Sequence, residues 1–147
     1  MRFPHIILQV FVIVIMVLVS SCGGGQPAEK EFEDFDSSNF TNSTDISNKW
    51  FPLEPGTQFV YEGETIEEGQ SVPHKIIITV TDLTKVIGGV RSMVTWDRDY
   101  SADELVEAEL AFFAQDDDGN VWRMGEYPEE YEGGQFTISP AWIHGFE

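Results

Sequence analysis

The stretch Asp116-Asp117-Asp118-Gly119-Asn120 puts three carboxylates and an amide side by side. Hard cations such as Ca²⁺ take several oxygen ligands, which makes Asp116, Asp118 and Asn120 the metal candidates of this chain. An EF-hand loop with its glycine at Gly119 would begin at Ala114 and end at Gly125, neither of which offers a side-chain ligand, so that motif fails. A hairpin turn explains the same residues, with Gly119 supplying a positive φ, and no metal site is assigned. The second cluster is GEYPEEYEGG, Gly125 to Gly134, where Glu126, Glu129, Glu130 and Glu132 alternate with Tyr127 and Tyr131. A pair of carboxylates can protonate and attack a glycosidic bond, with aromatic rings as platforms for the sugar. Spatial geometry makes such a pair, and an acidic connection between strands accounts for the composition equally well, so no residue is assigned as catalytic.

Other nucleophiles and ligands are scarce. His74 and His144 lie far apart, without the short spacing that links zinc ligands. No G-x-S-x-G elbow marks a serine nucleophile. Gly23-Gly24-Gly25 is not followed by the Lys-Ser/Thr of a phosphate loop. Cofactors are therefore expected to be none. Trp50, Trp96, Trp122 and Trp142 would line a cavity if they converged; as separate residues they are core or cross-strand packing groups. Convergence at an open end would suit an apolar or carbohydrate ligand.

The elements that must position these residues are strands. In TQFVYEGE, Phe59 and Tyr61 alternate with Val60 and Glu62. In HKIIITVTDL, Ile76, Ile78 and Val80 alternate with Ile77, Thr79 and Thr81, and in VRSMVTWDRD, Val90, Val94 and Trp96 are set against Arg91, Thr95 and Asp97. This is the period-two pattern of β-structure, and Gly88-Gly89 between two of the runs is a two-residue hairpin signal. SADELVEAELAFFAQ, 101–115, carries two signals. Ser101 with Glu104 has the form of a capping box that would open a helix. Yet Val106, Ala108, Leu110 and Phe112 alternate with Glu107, Glu109, Ala111 and Phe113, which predicts a strand. VWRMGEY forms the next strand, and QFTISP, after Gly133-Gly134, a sixth. The expected fold is mainly β: an antiparallel meander forming a small barrel or sandwich over residues 50–147. AWIHGFE is still apolar at the end of the sequence, which predicts an open C-terminal edge strand in a domain that is truncated or pairs with another chain.

Residues 1–49 are of another kind. Arg2 is the only charged residue before Cys22, and Ile6 to Val19 is apolar apart from Gln9, the layout of an export signal. The run is shorter than the about 20 residues of a membrane span, which favours a cleaved signal over an uncleaved helix. Val19-Ser20-Ser21-Cys22 resembles the lipobox of bacterial lipoproteins. The resemblance implies cleavage between Ser21 and Cys22, diacylglyceryl modification of the Cys22 thiol, a fatty acid such as palmitate on the new N-terminus, and residence in the bacterial cell envelope. A lone cysteine in an exported chain has no internal disulfide partner, and two or more acyl chains anchor stably where one would be marginal. Gly23 after the cysteine lacks the Asp that retains Gram-negative lipoproteins in the inner membrane, so an outer-membrane location is permitted. Residues 22–49, rich in Gly, Ser, Asn and acid, read as a disordered tether spanning roughly 30 Å. Phe32, Phe35 and Phe40 are scattered through it, and the N-x-T patterns at Asn39 and Asn42 are expected to be accidental.

WFPLEPGTQFVYEG, Trp50 to Gly63, and FFAQDDDGNVWRMGE, Phe112 to Glu126, are similar to segments of uncharacterised exported all-β proteins. In the second of these an aromatic residue is expected where Met124 stands. The resemblance implies a β-rich exported domain and transfers no activity.

The formal charge is −18, and −19 once residues 1–21, whose only charge is Arg2, are removed. Such a chain lacks the basic surface that nucleic acid requires and is repelled by anionic lipid, so membrane residence would depend on the acyl anchor at Cys22. The expected function is a lipid-anchored envelope protein, a non-enzymatic binding or interaction module for a small ligand or an envelope protein. The alternatives are an exported hydrolase using carboxylates of 126–132 and a weak calcium-binding protein.

Overall fold

The computed structural model describes residues 34–146. Ser21, Cys22, the expected signal segment and the expected tether up to residue 33 lie outside the described residues. The alternating runs form seven strands: β1 (Gln58–Glu67), β2 (Gln70–Ile87), β3 (Val90–Ser101), β4 (Glu104–Gln115), β5 (Val121–Glu132), β6 (Gln135–Ile138) and β7 (Trp142–Ile143). Strands β1 to β6 lie in sequence order, each antiparallel to the next, and β7 pairs with β5 beside β6. Among the described residues no helix is long and apolar enough to cross a membrane.

The expected antiparallel meander is found, but it is one open sheet rather than a barrel or a two-sheet sandwich, because β1 does not pair with β6 or β7. The helix considered over 101–115 does not form. Ala102 and Asp103 adopt φ of 50° and 66° and reverse the chain between β3 and β4, the backbone a two-residue hairpin needs to match strand twist. Gly88 and Gly89 do the same between β2 and β3, with φ of 56° and 86°. The apolar C-terminal segment is paired rather than left open, since β7 returns to Gly125 and Glu126 of β5.

Both faces of the sheet carry apolar residues, as alternation in β3 and β4 requires. On one, here the Phe112 face, Ile87, Val90, Val94, Phe112, Ala114 and Met124 form a cluster. On the other, the Phe113 face, Val80 and Met93 pack with Phe59, Phe113 and Val121. What covers them is the N-terminal segment, and here the structure departs from the expected tether: the ordered unit begins at Phe35, not Trp50. Phe35 and Phe40 pack on the Phe112 cluster, while Ile46 and Leu53 complete the Phe113 cluster. Between them the chain passes from one face to the other beyond Met93 and Phe113, the last pair of the β3–β4 ladder. Ser43 O accepts from Gln115 N at 2.9 Å, and Ser43 Oγ donates to Arg91 O at 2.6 Å. Asp117 anchors the crossing by accepting from Thr41 N and Oγ1 at 3.0 and 2.8 Å. The segment is too polar to show a period, yet its few apolar residues fall where both faces need a lid.

Candidate functional site

The register of β3, β4 and β5 places carboxylates in rows across the Phe113 face. Asp97 lies opposite Glu109, and Asp99 opposite Glu107; Glu107 in turn lies opposite Glu130. Like charges directly opposite are unfavourable, and only two basic groups interleave. Arg123 donates to both oxygens of Glu109 at 2.7 and 2.9 Å and also pairs with Glu126. His74 Nε2 lies 2.9 Å from Asp99 Oδ1. Burial pushes the Glu109 carboxyl up to about 7 despite Arg123, with Asp97, Glu126 and Glu107 adding to the rise. Asp97 is raised to about 6, again by burial, which outweighs the Thr95 hydroxyl and Arg123. Glu107 is raised by burial and by Asp99, Glu126 and Glu130. Groups such as Glu109 and Asp97 exchange protons near neutral pH, as acid–base chemistry requires.

The glutamates of the 126–132 cluster are thus divided. Glu126 and Glu130 join the acidic rows. Glu129 lies opposite Ala108 instead and accepts from Tyr131 Oη at 2.6 Å, while Glu132 ends β5 and is exposed. The sequence cluster overlooked Asp97, Asp99, Glu107, Glu109 and Arg123. Their signal was present as alternation, but only the register turns it into a row.

The Phe112 face carries a different surface. A groove of about 460 Å³ is lined by Lys85, Val86, Tyr127, Ala141, Trp142, Ile143 and Phe146. A second, of about 310 Å³, is lined by Trp96, Leu110, Tyr127, Glu129 and Ser139 among others. Tyr127 belongs to both. It is 38% exposed, Trp96 and Trp142 are each 43% exposed, and Phe112 supports the Tyr127 ring edge-on at 5.1 Å. Lys85 Nζ stands 5.3 Å above the Tyr127 ring and 5.8 Å above that of Phe112. Arg98 stacks on Trp96 at 4.3 Å.

Of the four tryptophans, Trp96 and Trp142 therefore line adjoining grooves. Trp122 packs against both Phe35 and Phe40, and Trp50 is 82% exposed elsewhere, beneath Lys49. Comparison with family models, with curated proteins and with solved structures gives no match. The site must be read from its own chemistry.

The remaining candidates have structural partners. Asp116 Oδ1 accepts from the backbone N of Asp118 and Asn120 at 3.1 and 2.8 Å, and Oδ2 accepts from Asn120 Nδ2 and Trp122 Nε1 at 2.9 and 2.8 Å. Burial alone would raise this carboxyl, but the bonds from Trp122, Asn120 and Asp118 hold it below its ordinary value. A cation at Asp116, Asp118 and Asn120 would have to displace bonds that shape the turn. Among the described residues no group of three His, Cys, Asp or Glu is arranged to hold a metal ion. His144 stacks on Phe35 at 4.1 Å and touches the Gly88 turn, whereas His74 serves the acidic rows, so the two histidines do not meet at one site.

Proposed function

We propose that this protein is a lipid-anchored component of the bacterial cell envelope, facing the extracytoplasmic side, and that it is a non-enzymatic binding module. The anchor reading rests on Val19-Ser20-Ser21-Cys22 at the end of an apolar run, with acyl chains on Cys22 supplying the membrane attachment that a charge of −19 would oppose. The binding reading is carried by one observation: exposed Tyr127 is shared by two grooves, one lined also by Trp142 and the other by Trp96. Aromatic rings with a few polar groups at their margins are the usual composition of a ligand site. Intact mass spectrometry of protein extracted from its native membrane tests the anchor. A chain beginning at Cys22 with diacylglycerol and acyl mass is expected, and Cys22→Ala should leave the membrane fraction. Retention of residues 1–21 would replace the acyl anchor by an uncleaved helix.

A second reading has its own support. Glu126 and Glu130 share a face with Glu109 and Asp97, whose carboxyls titrate near neutrality, as the acid of a hydrolase would. Turnover of chromogenic glycosides or esters that Glu109→Gln abolishes would favour an exported hydrolase; no turnover across both classes would remove it.

A further inference from the structure

Of the six Lys and Arg among the described residues, Lys75 and Arg123 form ion pairs, while Lys49, Lys85, Arg91 and Arg98 form none. Arg91 donates to Thr84 Oγ1 at 3.2 Å and Lys49 stands over the exposed Trp50 ring, whereas Lys85 and Arg98 lie on the Phe112 face. Each rests on rings instead: Lys85 over Tyr127 and Phe112, Arg98 over Trp96. Arg98 Nε is also buried without a hydrogen-bond partner.

The ligand must suit exposed aromatic rings, an unpaired ammonium and, in the smaller groove, Glu129 and Ser139. A purely apolar ligand would strip water from Lys85 and Glu129 with no compensation. A polyphosphate would bring several charges per unit to grooves that hold Glu129 and, among the described residues, the one lysine Lys85, whereas a uronic acid brings one charge per ring. A sugar chain meets all the requirements, because its C–H faces stack on rings while its hydroxyls bond to carboxylate and hydroxyl groups. A carboxylate on one sugar would supply the missing partner of Lys85.

We propose that the paired grooves bind an acidic oligosaccharide of at least two rings. One ring lies against Tyr127 with its carboxylate at Lys85, and the next lies against Trp96 within reach of Glu129. This rests on the reading of the Tyr127 grooves as the binding surface, and it names the ligand class.

The test is calorimetry on the full chain in detergent, with oligosaccharides of galacturonate, of mannuronate and of hyaluronan, against a neutral glucose oligomer of equal length. At least one acidic oligomer is expected to bind about tenfold more tightly than the neutral one. Lys85→Met should erase that preference, and Tyr127→Ala should weaken both, in variants whose melting matches the parent. Equal binding of acidic and neutral oligomers, unchanged by Lys85→Met but lost in Tyr127→Ala, would leave the grooves as the binding surface and overturn the acidic class. Acidic binding that survives both substitutions would overturn the site. Binding of none of the four would overturn the sugar class, while the anchor is judged separately by the mass of the Cys22 terminus.

Discussion

Replacing Glu109 by Gln should stabilise the protein at pH 8 and do so only slightly at pH 5. The Glu109 side chain is 12% exposed, and its carboxyl is raised from 4.5 to about 7. Because the folded value lies above the unfolded one, stability is lowest above pH 7, where both states carry the charge but only the folded state buries it. It rises as pH falls through about 7, and the gain is complete below about 4.5, where both states are protonated. A rise of about 2.5 pH units corresponds to an upper limit of about 3.4 kcal/mol; solvent around the partly exposed Arg123 reduces this to roughly 1.5 kcal/mol. The substitution Glu109→Gln keeps an acceptor for Arg123 and removes the buried charge. For a domain of this size the gain is about 6 °C in Tm at pH 8, read by thermal melting from pH 5 to 8. Asp97, raised to about 6 and directly opposite Glu109, adds a dependence of the same sign, so the two titrate as a pair. If E109Q melts below the parent at pH 8, the ion pair with Arg123 outweighs burial, and a buried uncompensated charge is the wrong description of Glu109.

Three further outcomes test the fold around the sites. Ile46→Ala should cost about 2–4 kcal/mol in denaturant unfolding, since Ile46 is buried against the Phe113 cluster; a neutral result would return residues 35–49 to the role of tether. Gly125→Ala should cost about 2 kcal/mol and expose the C-terminal residues to proteolysis, because the new Cβ would lie 2.6 Å from Trp142 O at a φ of +149°; unchanged melting would mean that β7 can shift freely. Asp116→Ala should cost about 2 kcal/mol at pH 7. The lowered carboxyl stabilises the fold above about 3.8 and loses that contribution as pH falls further, so the penalty measured by melting should shrink at pH 3.

Strand identity was legible because alternation is local. Val90, Val94 and Trp96 against Arg91, Thr95 and Asp97 already divide β3 between two faces, and Gly88-Gly89 and Gly133-Gly134 mark turns of the meander. The β3–β4 turn was harder to read, since Ala102 and Asp103 hold positive φ without glycine and Ser101 with Glu104 imitates a helix start. The order of residues 35–53 left almost no local trace: Phe35, Phe40, Ile46 and Leu53 have no common period because they serve opposite faces of a sheet that the segment crosses. The acidic rows fall between these cases. Which face Asp97 and Glu109 share with their neighbours follows from alternation, but their pairing depends on where the Ala102-Asp103 turn sets the register, and the Glu126 to Glu132 cluster pointed to only part of the group.

The same alternation separates charge across the sheet. Asp97, Asp99, Glu107 and Glu109 share one face, on which Arg123 is the arginine that pairs with Glu109, while Lys85 and Arg98 stand among rings on the other. Carboxylates such as Asp97, Glu107 and Glu109 are one residue out of phase with these cations and point to the far side of the backbone. No rotamer change can bring Glu109 to Lys85, so each face must find its own compensation. On the Phe113 face, proton uptake by Glu109 and Asp97 provides it from within, as their raised values indicate. Lys85 and Arg98 make no ion pair with a carboxylate among the described residues and rest on aromatic rings. Glu129 is a carboxylate that the register places on the Phe112 face, opposite Ala108 as Arg98 is, and an acidic ligand would add an anion at Lys85; the charge test at Lys85 therefore bears on the Phe112 face while the pH test at Glu109 bears on the other.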